Sequence, residues 1–323
     1  MDRAGSRALC GAAVLVVVAV CPAAAEEIDD FLYWINGPDP ERIAATEYDL
    51  VVADYSRDGS AGGELPPEAV ARMQRTPRGR TRPVLAYLSI GEAETYRWYW
   101  RREWDGDGDG EPDEGAPGWL GSENPEWEGN YKVRYWDPDW QALIAGSRGS
   151  YLDRILDAGF DGVYLDIVDA YYYWGEEAEE GERIPLARAA DRMIALIEQI
   201  RAAGLKRRPG FLVFPQNADF LPDDAQDDRR REAYFAAIDG IGIEDVFFRD
   251  GDSPGEDAPF RPDEERLTAL SGFVKRGKRV LSIEYPTRRA EIDRFFEEAT
   301  RRGFVPFAGR RPLDGIPEYP GPR

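Results

Sequence analysis

The stretch Gly159-Phe160-Asp161-Gly162-Val163-Tyr164-Leu165-Asp166-Ile167-Val168-Asp169 decides the fold. It opens with a glycine after the amphipathic pattern Trp140–Leu156, where a left-handed helix C-cap is wanted, and runs into an apolar segment, Gly162–Ile167. The segment does not alternate. A strand apolar on both faces belongs in a parallel sheet covered by helices on each side, and this one ends in carboxylates, Asp166 and Asp169.

The same unit recurs along the chain. Strands are predicted at Phe31–Asn36, Asp49–Tyr55, Pro83–Ile90, Gly162–Ile167, Gly210–Gln216, Ile238–Ile243, Arg279–Glu284 and Gly303–Phe307. Helical patterns are clearest at Trp140–Leu156, Pro185–Ala203, Asp263–Arg276 and Arg289–Arg302, with Gly159, Gly204, Gly277 and Gly303 read as their caps. Eight strand–helix units point to an α/β fold, a (β/α)8 TIM barrel. An open doubly wound sheet is the competitor, but no Gly-rich nucleotide fingerprint follows the first strand. The third unit differs, because a long insertion separates Gly91 from the helix near Trp140; insertions over a barrel's C-terminal face usually carry function.

Composition narrows the chemistry. The chain of 323 residues has no His and two Cys, which excludes Ser-His-Asp and Cys-His triads and the usual His-containing metal sites. Lysines are Lys132, Lys206, Lys275 and Lys278, none in a convincing strand, so a buried Schiff-base lysine is not expected. Carboxylates remain. The net charge of -21 disfavours nucleic acid and acidic membranes as partners and favours neutral or cationic substrates, although much of it serves only solubility.

Residues 1–25 read as a secretory signal peptide: Arg3 and Arg7, an apolar run Ala8–Val20 too short to span a bilayer, and Ala23-Ala24-Ala25 before Glu26. A secreted or periplasmic protein is expected, with residues 26–323 forming a single domain. Cys10 and Cys21 both fall in the leader, so the mature chain would have neither disulfides nor thiolate chemistry. No later segment is long and apolar enough for a membrane span, and no signal for oligomeric state is visible.

A (β/α)8 barrel builds its active site from strand C-termini. The polar residues there are Asp54, Glu92, Asp166 with Asp169, Gln216 with Asn217, Glu244 with Asp245, and Glu284 with Tyr285. Singly, each has a bland reading as a helix cap or loop ion pair. Together they supply what glycoside hydrolysis needs, one protonated carboxyl and one ionised, with no cofactor.

The insertion adds aromatics: Trp98, Trp100, Trp104, Trp119, Trp127, Trp136 and Trp140 interleave with Tyr96, Tyr99, Tyr131 and Tyr135. Flat rings suit the C–H faces of sugars, so a polysaccharide groove is one reading and a satellite core holding the loop the other. Within it, residues 105–117 form an acidic loop. Asp105, Asp107 and Asp109 with Gly110 match the first half of a calcium loop, but Ala116 stands where a bidentate Glu belongs; a possible structural calcium competes with a solvated turn.

The stretches Tyr87-Leu-Ser-Ile-Gly-Glu92-Ala-Glu94, Tyr96-Arg97-Trp-Tyr-Trp100, Gly129-Asn130-Tyr131, Tyr135-Trp136-Asp137 and Gly159 to Asp169, followed by Gln216-Asn217, Gly240-Ile-Gly-Ile-Glu244-Asp245 and Glu284-Tyr285, resemble exported bacterial TIM-barrel proteins related to glycoside hydrolase family 114, the endo-α-1,4-polygalactosaminidases. The resemblance covers nearly the whole mature chain and is nearer to an uncharacterised branch of that group. It implies a retaining pair, Asp166 as nucleophile and Glu244 as acid–base. The acidic loop is outside that pattern.

The resulting expectation is an exported glycoside hydrolase acting on an α-linked, amino-sugar-containing polysaccharide, with Glu244 raised in pKa by burial or by Asp166, and Asp166 kept ionised by hydrogen bonds. Asp54, Glu92, Tyr131, Asp169, Gln216, Asn217, Glu284 and Tyr285 would bind the sugar. A non-catalytic glycan-binding barrel of the cell envelope is the alternative, and a metal-dependent hydrolase using clustered carboxylates a third.

Overall fold

The computed structural model describes residues 28–146, 148–249 and 258–322; the predicted signal peptide lies outside them. Among the described residues eleven strands occur in chain order: β1 Phe31–Trp34, β2 Leu50–Asp54, β3 Val84–Ser89, β4 Glu92–Glu94, β5 Leu120–Glu123, β6 Asn130–Val133, β7 Gly162–Asp166, β8 Leu212–Pro215, β9 Gly240–Glu244, β10 Arg279–Glu284 and β11 Val305–Ala308. Eight of these make the barrel. β1-β2-β3-β7-β8 form one parallel sheet and β9-β10-β11 another.

The two sheets meet at both edges. A parallel bridge pairs Gln216 with Gly242, and the amides of Asp239 and Asn217 donate to Val213 and Gly242 across the β8–β9 seam. At the other seam, the Phe307 ring packs on Phe31 at 5.4 Å and on Tyr33 at 6.5 Å. Strands β1, β2, β3 and β11 are buried along their whole length, which explains why their sequences do not alternate.

Inside the barrel, side chains two residues apart share the inward face. Tyr164 and Asp166 on β7 are such a pair, as are Gly242 and Glu244 on β9. Gly242 is required there because a Cβ would overlap the Tyr164 hydroxyl.

Helix ends largely follow the sequence. Gly159, directly after its helix, and Gly277 and Gly303, each one residue further past theirs, take positive φ values of 93°, 72° and 77°. Gly204 does not cap. The helix Leu186–Arg207 runs past it, and its missing Cβ lets the Phe211 ring lie against the helix. The predicted helix Trp140–Leu156 is also broken: a turn at Pro138–Gln141 passes into a π-helical turn, Ala142–Gly146, and a new helix, Tyr151–Ala158, starts at Ser150, whose side chain accepts from the Asp153 amide.

The insertion is a folded unit rather than a long loop. β4, β6 and β5 form an antiparallel sheet, and an aromatic chain packs behind it: Trp98–Tyr99, Tyr99–Trp140, Trp140–Trp119, Trp119–Trp104, Trp104–Trp100 and Trp100–Tyr131, with centroids 4.6 to 5.9 Å apart. Each such pair adds about 0.5–1.5 kcal/mol beyond area burial. The indole N–H of Trp140 donates to the Ile90 carbonyl and that of Trp174 to Val133, stapling the unit to the barrel. Most of these rings therefore form a satellite core; Trp127 and Tyr96 remain exposed.

Candidate active site

Three neighbouring strand ends share an unusual backbone. Ile167 after β7, Asn217 after β8 and Asp245 after β9 have φ of 54°, 52° and 54°, a left-handed conformation that costs non-glycine residues energy, most of all β-branched Ile. Each follows a polar residue at the end of its strand: Asp166, Gln216 and Glu244.

Asp166 lies partly open to solvent, and its Oδ2 accepts the Tyr87 hydroxyl at 2.5 Å. Burial pushes its carboxyl up; the Tyr87 hydroxyl and the Ile167 amide pull it back, and the charge of Glu94 adds to the rise. Glu244 is more extreme. Burial, opposed by the hydrogen bond from Tyr285 and reinforced by the charges of Asp166 and Asp245, pushes it up to about 7. Its Oε1 accepts the Tyr285 hydroxyl and its Oε2 the Gln216 amide, while Tyr33 donates to Gln216 Oε1 at 3.0 Å. A Tyr–Gln relay from β1 thus fixes one oxygen and a tyrosine after β10 the other.

The remaining predicted residues divide. Asp169, three residues past β7, is exposed, yet crowding by surrounding protein and the charges of Asp166 and Glu92 push it up to about 7. Glu92 is buried and raised by that burial; its Oε1 accepts from Asn124 at 2.8 Å, and its Oε2 has no hydrogen-bond partner. Asn217 turns its Oδ1 toward the Glu244 amide at 3.2 Å and the Arg266 guanidinium. The fields of Asp166 on Asp169 and Glu244 bring these groups into one electrostatic cluster.

Three residues expected to bind sugar are committed elsewhere. Asp54 is buried with both oxygens held by Arg97, at 3.0 and 2.7 Å, and a third bond from the Ser56 amide. Glu284 is fully buried and accepts the amides of Val246, Phe247 and Phe248; burial carries it up to about 8. It folds the turn after β9. Tyr131 packs on Trp100 within the insertion, and its hydroxyl donates to Asp105. In each case a nonlocal partner occupies the polar atoms the sugar would need.

Asp105, Asp107 and Asp109 can place one carboxylate oxygen each within 4.8 Å of one another. The oxygens of Asp105 also accept the Gly108 and Gly110 amides and the Tyr131 hydroxyl, and these hydrogen bonds draw the loop together. Glu123 lies beside this turn, its amide donating to the Gly110 carbonyl at 2.8 Å.

Sequence reasoning missed Tyr87, Tyr33, Tyr164 and Arg311. The signal for Tyr164 was present, since it precedes Asp166 by two in a strand and must share its inward face. Its hydroxyl is buried with no partner, in the fields of Glu244 and Asp166.

A (β/α)8 barrel with carboxyls gathered at neighbouring strand ends is an architecture on which carbohydrate-cleaving enzymes are built. The chain belongs to glycoside-hydrolase family GH114, which matches residues 25–322. It is 34% identical over 297 residues to an uncharacterized protein of Thermotoga maritima, covering 88% of this chain and 82% of that one. An uncharacterized protein of Deinococcus radiodurans is 35% identical over 275 residues, with 85% and 77% covered. Among solved structures, the catalytic domain of a beta-amylase from Paenibacillus polymyxa aligns with a TM-score of 0.44 at 12% identity over 90% of this chain and 96% of that one. A chitinase from Chromobacterium violaceum aligns with 0.39 at 14% identity over 79% and 68%.

Proposed function

We propose that this protein is an exported enzyme that cleaves an α-linked, amino-sugar-containing polysaccharide of the polygalactosamine type by a two-carboxylate retaining mechanism. The observation that carries the reading is the asymmetry of the pair: Glu244 is raised to about 7 partly by the charge of Asp166, so it holds a proton near neutral pH beside a carboxylate that can attack. Asp166 forms a bond to the anomeric carbon while Glu244 gives its proton to the departing glycosidic oxygen. Glu244, now ionised, takes a proton from water, whose oxygen displaces Asp166 and restores the starting anomeric configuration.

Glu92 and Asp169 supply further acceptors for hydroxyl or ammonium groups, and the acidic chain attracts a partly deacetylated, cationic polymer. No step needs a metal, so chelator-treated protein is expected to keep its turnover. The experiment is a product assay on galactosamine-containing polymers and neutral α-glycans, with Asp166→Asn and Glu244→Gln as controls and the anomeric configuration of the first product read by NMR. Undiminished cleavage by both variants, or an inverted product, sinks the mechanism. Binding without turnover across the panel would favour a glycan-binding barrel.

A further inference from the structure

We propose that Arg311, on the segment following β11, is a positioning residue for Glu244, clamping Asp245 and the Tyr285 ring and so fixing the hydroxyl that holds the Glu244 carboxyl. The inference rests on the reading of Glu244 as the acid–base group. Arg311 grips Asp245 bidentately, Nη1 to Oδ2 at 3.1 Å and Nη2 to Oδ1 at 2.7 Å. Its guanidinium lies 4.3 Å from the centroid of the Tyr285 ring, whose hydroxyl donates to Glu244 Oε1. One planar group therefore ties together the strained residue after β9 and the phenol after β10.

The clamp does more than pack. Among the described residues its Nε is buried with no partner, so its hydrogen bonds run through the two Nη groups. The segment that carries it is itself anchored at the barrel mouth, where the Leu313 carbonyl accepts the amides of Ile35 and Asn36 just past β1. Arg311 is thus held from one side of the barrel and acts on the other.

Arg311 is also the cation that opposes the local negative charge. The groups facing Glu244 are Asp166 and Tyr164 from β7, Gln216 after β8 with Tyr33 of β1 behind it, Tyr285 after β10, Asp245 beside it in the chain, and Arg311. Arg266, from the helix Glu264–Lys275, reaches the Glu244 backbone carbonyl at 3.1 Å rather than its carboxyl. Asp166 and Asp245 raise the Glu244 carboxyl, and Arg311 lowers it. Removing it leaves Asp245 unpaired, so both consequences push Glu244 further up.

The test follows the Glu244 carboxyl by NMR of full-length protein labelled at the glutamate side-chain carboxyl carbon, with the resonance assigned by its loss in Glu244→Gln. In Arg311→Met the titration midpoint is expected to rise by about one pH unit. On the galactosamine polymer kcat is expected to fall about tenfold with KM changed less than about twofold, and the alkaline limb of the kcat profile to move up with the midpoint. Arg311→Lys restores the charge but not the fork, so the midpoint returns while kcat stays low. An unmoved midpoint in folded Arg311→Met overturns the proposal whatever happens to kcat, because a merely structural role lowers thermal stability without moving a titration. If Glu244→Gln keeps full turnover, the acid–base reading fails instead, and the NMR midpoint still decides the clamp.

Discussion

The barrel rim and the insertion are made from the same residue types, acids and aromatics, arranged in opposite ways. At the rim the carboxyls go inward, where Glu244, Glu284 and Asp54 are each held by tyrosine, amide or guanidinium donors. In the insertion the rings go inward, with Trp104, Trp119 and Trp140 buried, and Asp107 and Asp109 stand in solvent. A carboxylate kept from water costs stability unless it is paired; Asp54 and Glu284 are paired into the frame by Arg97 and by backbone amides, whereas Glu244 is held with a raised pKa beside Asp166. An indole kept from water carries no such cost. The acidic loop, the most conspicuous motif of the sequence, is therefore the weaker pointer to chemistry.

The sharpest way to break this contrast is at the rim. Asp166→Asn and Glu244→Gln are each expected to cut kcat by about 10³-fold or more while thermal unfolding shows an intact fold, as loss of a nucleophile or a general acid does. Next comes the insertion, where Trp119→Ala should cost about 3–5 kcal/mol of stability in denaturant titration, with kcat of the folded fraction unchanged. A large fall in kcat with unaltered stability would show that this ring touches substrate and is not core.

Smaller effects sharpen the line between a working group and its support. Tyr87→Phe removes the hydroxyl on Asp166 but keeps the ring, and kcat should fall by about 10- to 100-fold with the acid limb of the profile moved upward, since the bond holds the Asp166 pKa down. Glu284→Gln should leave kcat within about threefold and instead change how stability depends on pH. The sign follows from linkage: burial raises the folded Glu284 to about 8, so between its unfolded value and about 8 the native state holds more protons than the unfolded state, and stability falls as pH rises. The Gln variant cannot titrate, so thermal scans across that window should show a flatter decline. An unchanged slope would mean that Glu284 is ionised in the folded protein.

The contrast also explains what could be read from the sequence. All eight barrel strands were legible because a parallel strand buried on both faces leaves a continuous apolar run, and its last polar residue marks the rim. Asp166, Glu244 and Gln216 stand at such ends. Asp54 and Glu284 satisfy the same rule, but a partner distant in the chain holds their oxygens, which no local pattern announces: Arg97 for one and the turn Val246–Phe248 for the other. The interruption at Ala142–Gly146 left no trace in amphipathic periodicity, and the Arg311 clamp is invisible until the C-terminal segment is placed against β9 and β10.

The left-handed residues Ile167, Asn217 and Asp245 set a boundary for anyone wishing to give this scaffold a new specificity. Each is a fixed hinge pin between a strand that aims a functional group and a connection that can vary. A transplanted loop should begin after these three positions. Splices made before them would let the strand end relax into ordinary extended backbone and rotate its last side chain off target, so that the graft would fold and the donor's chemistry would not transfer.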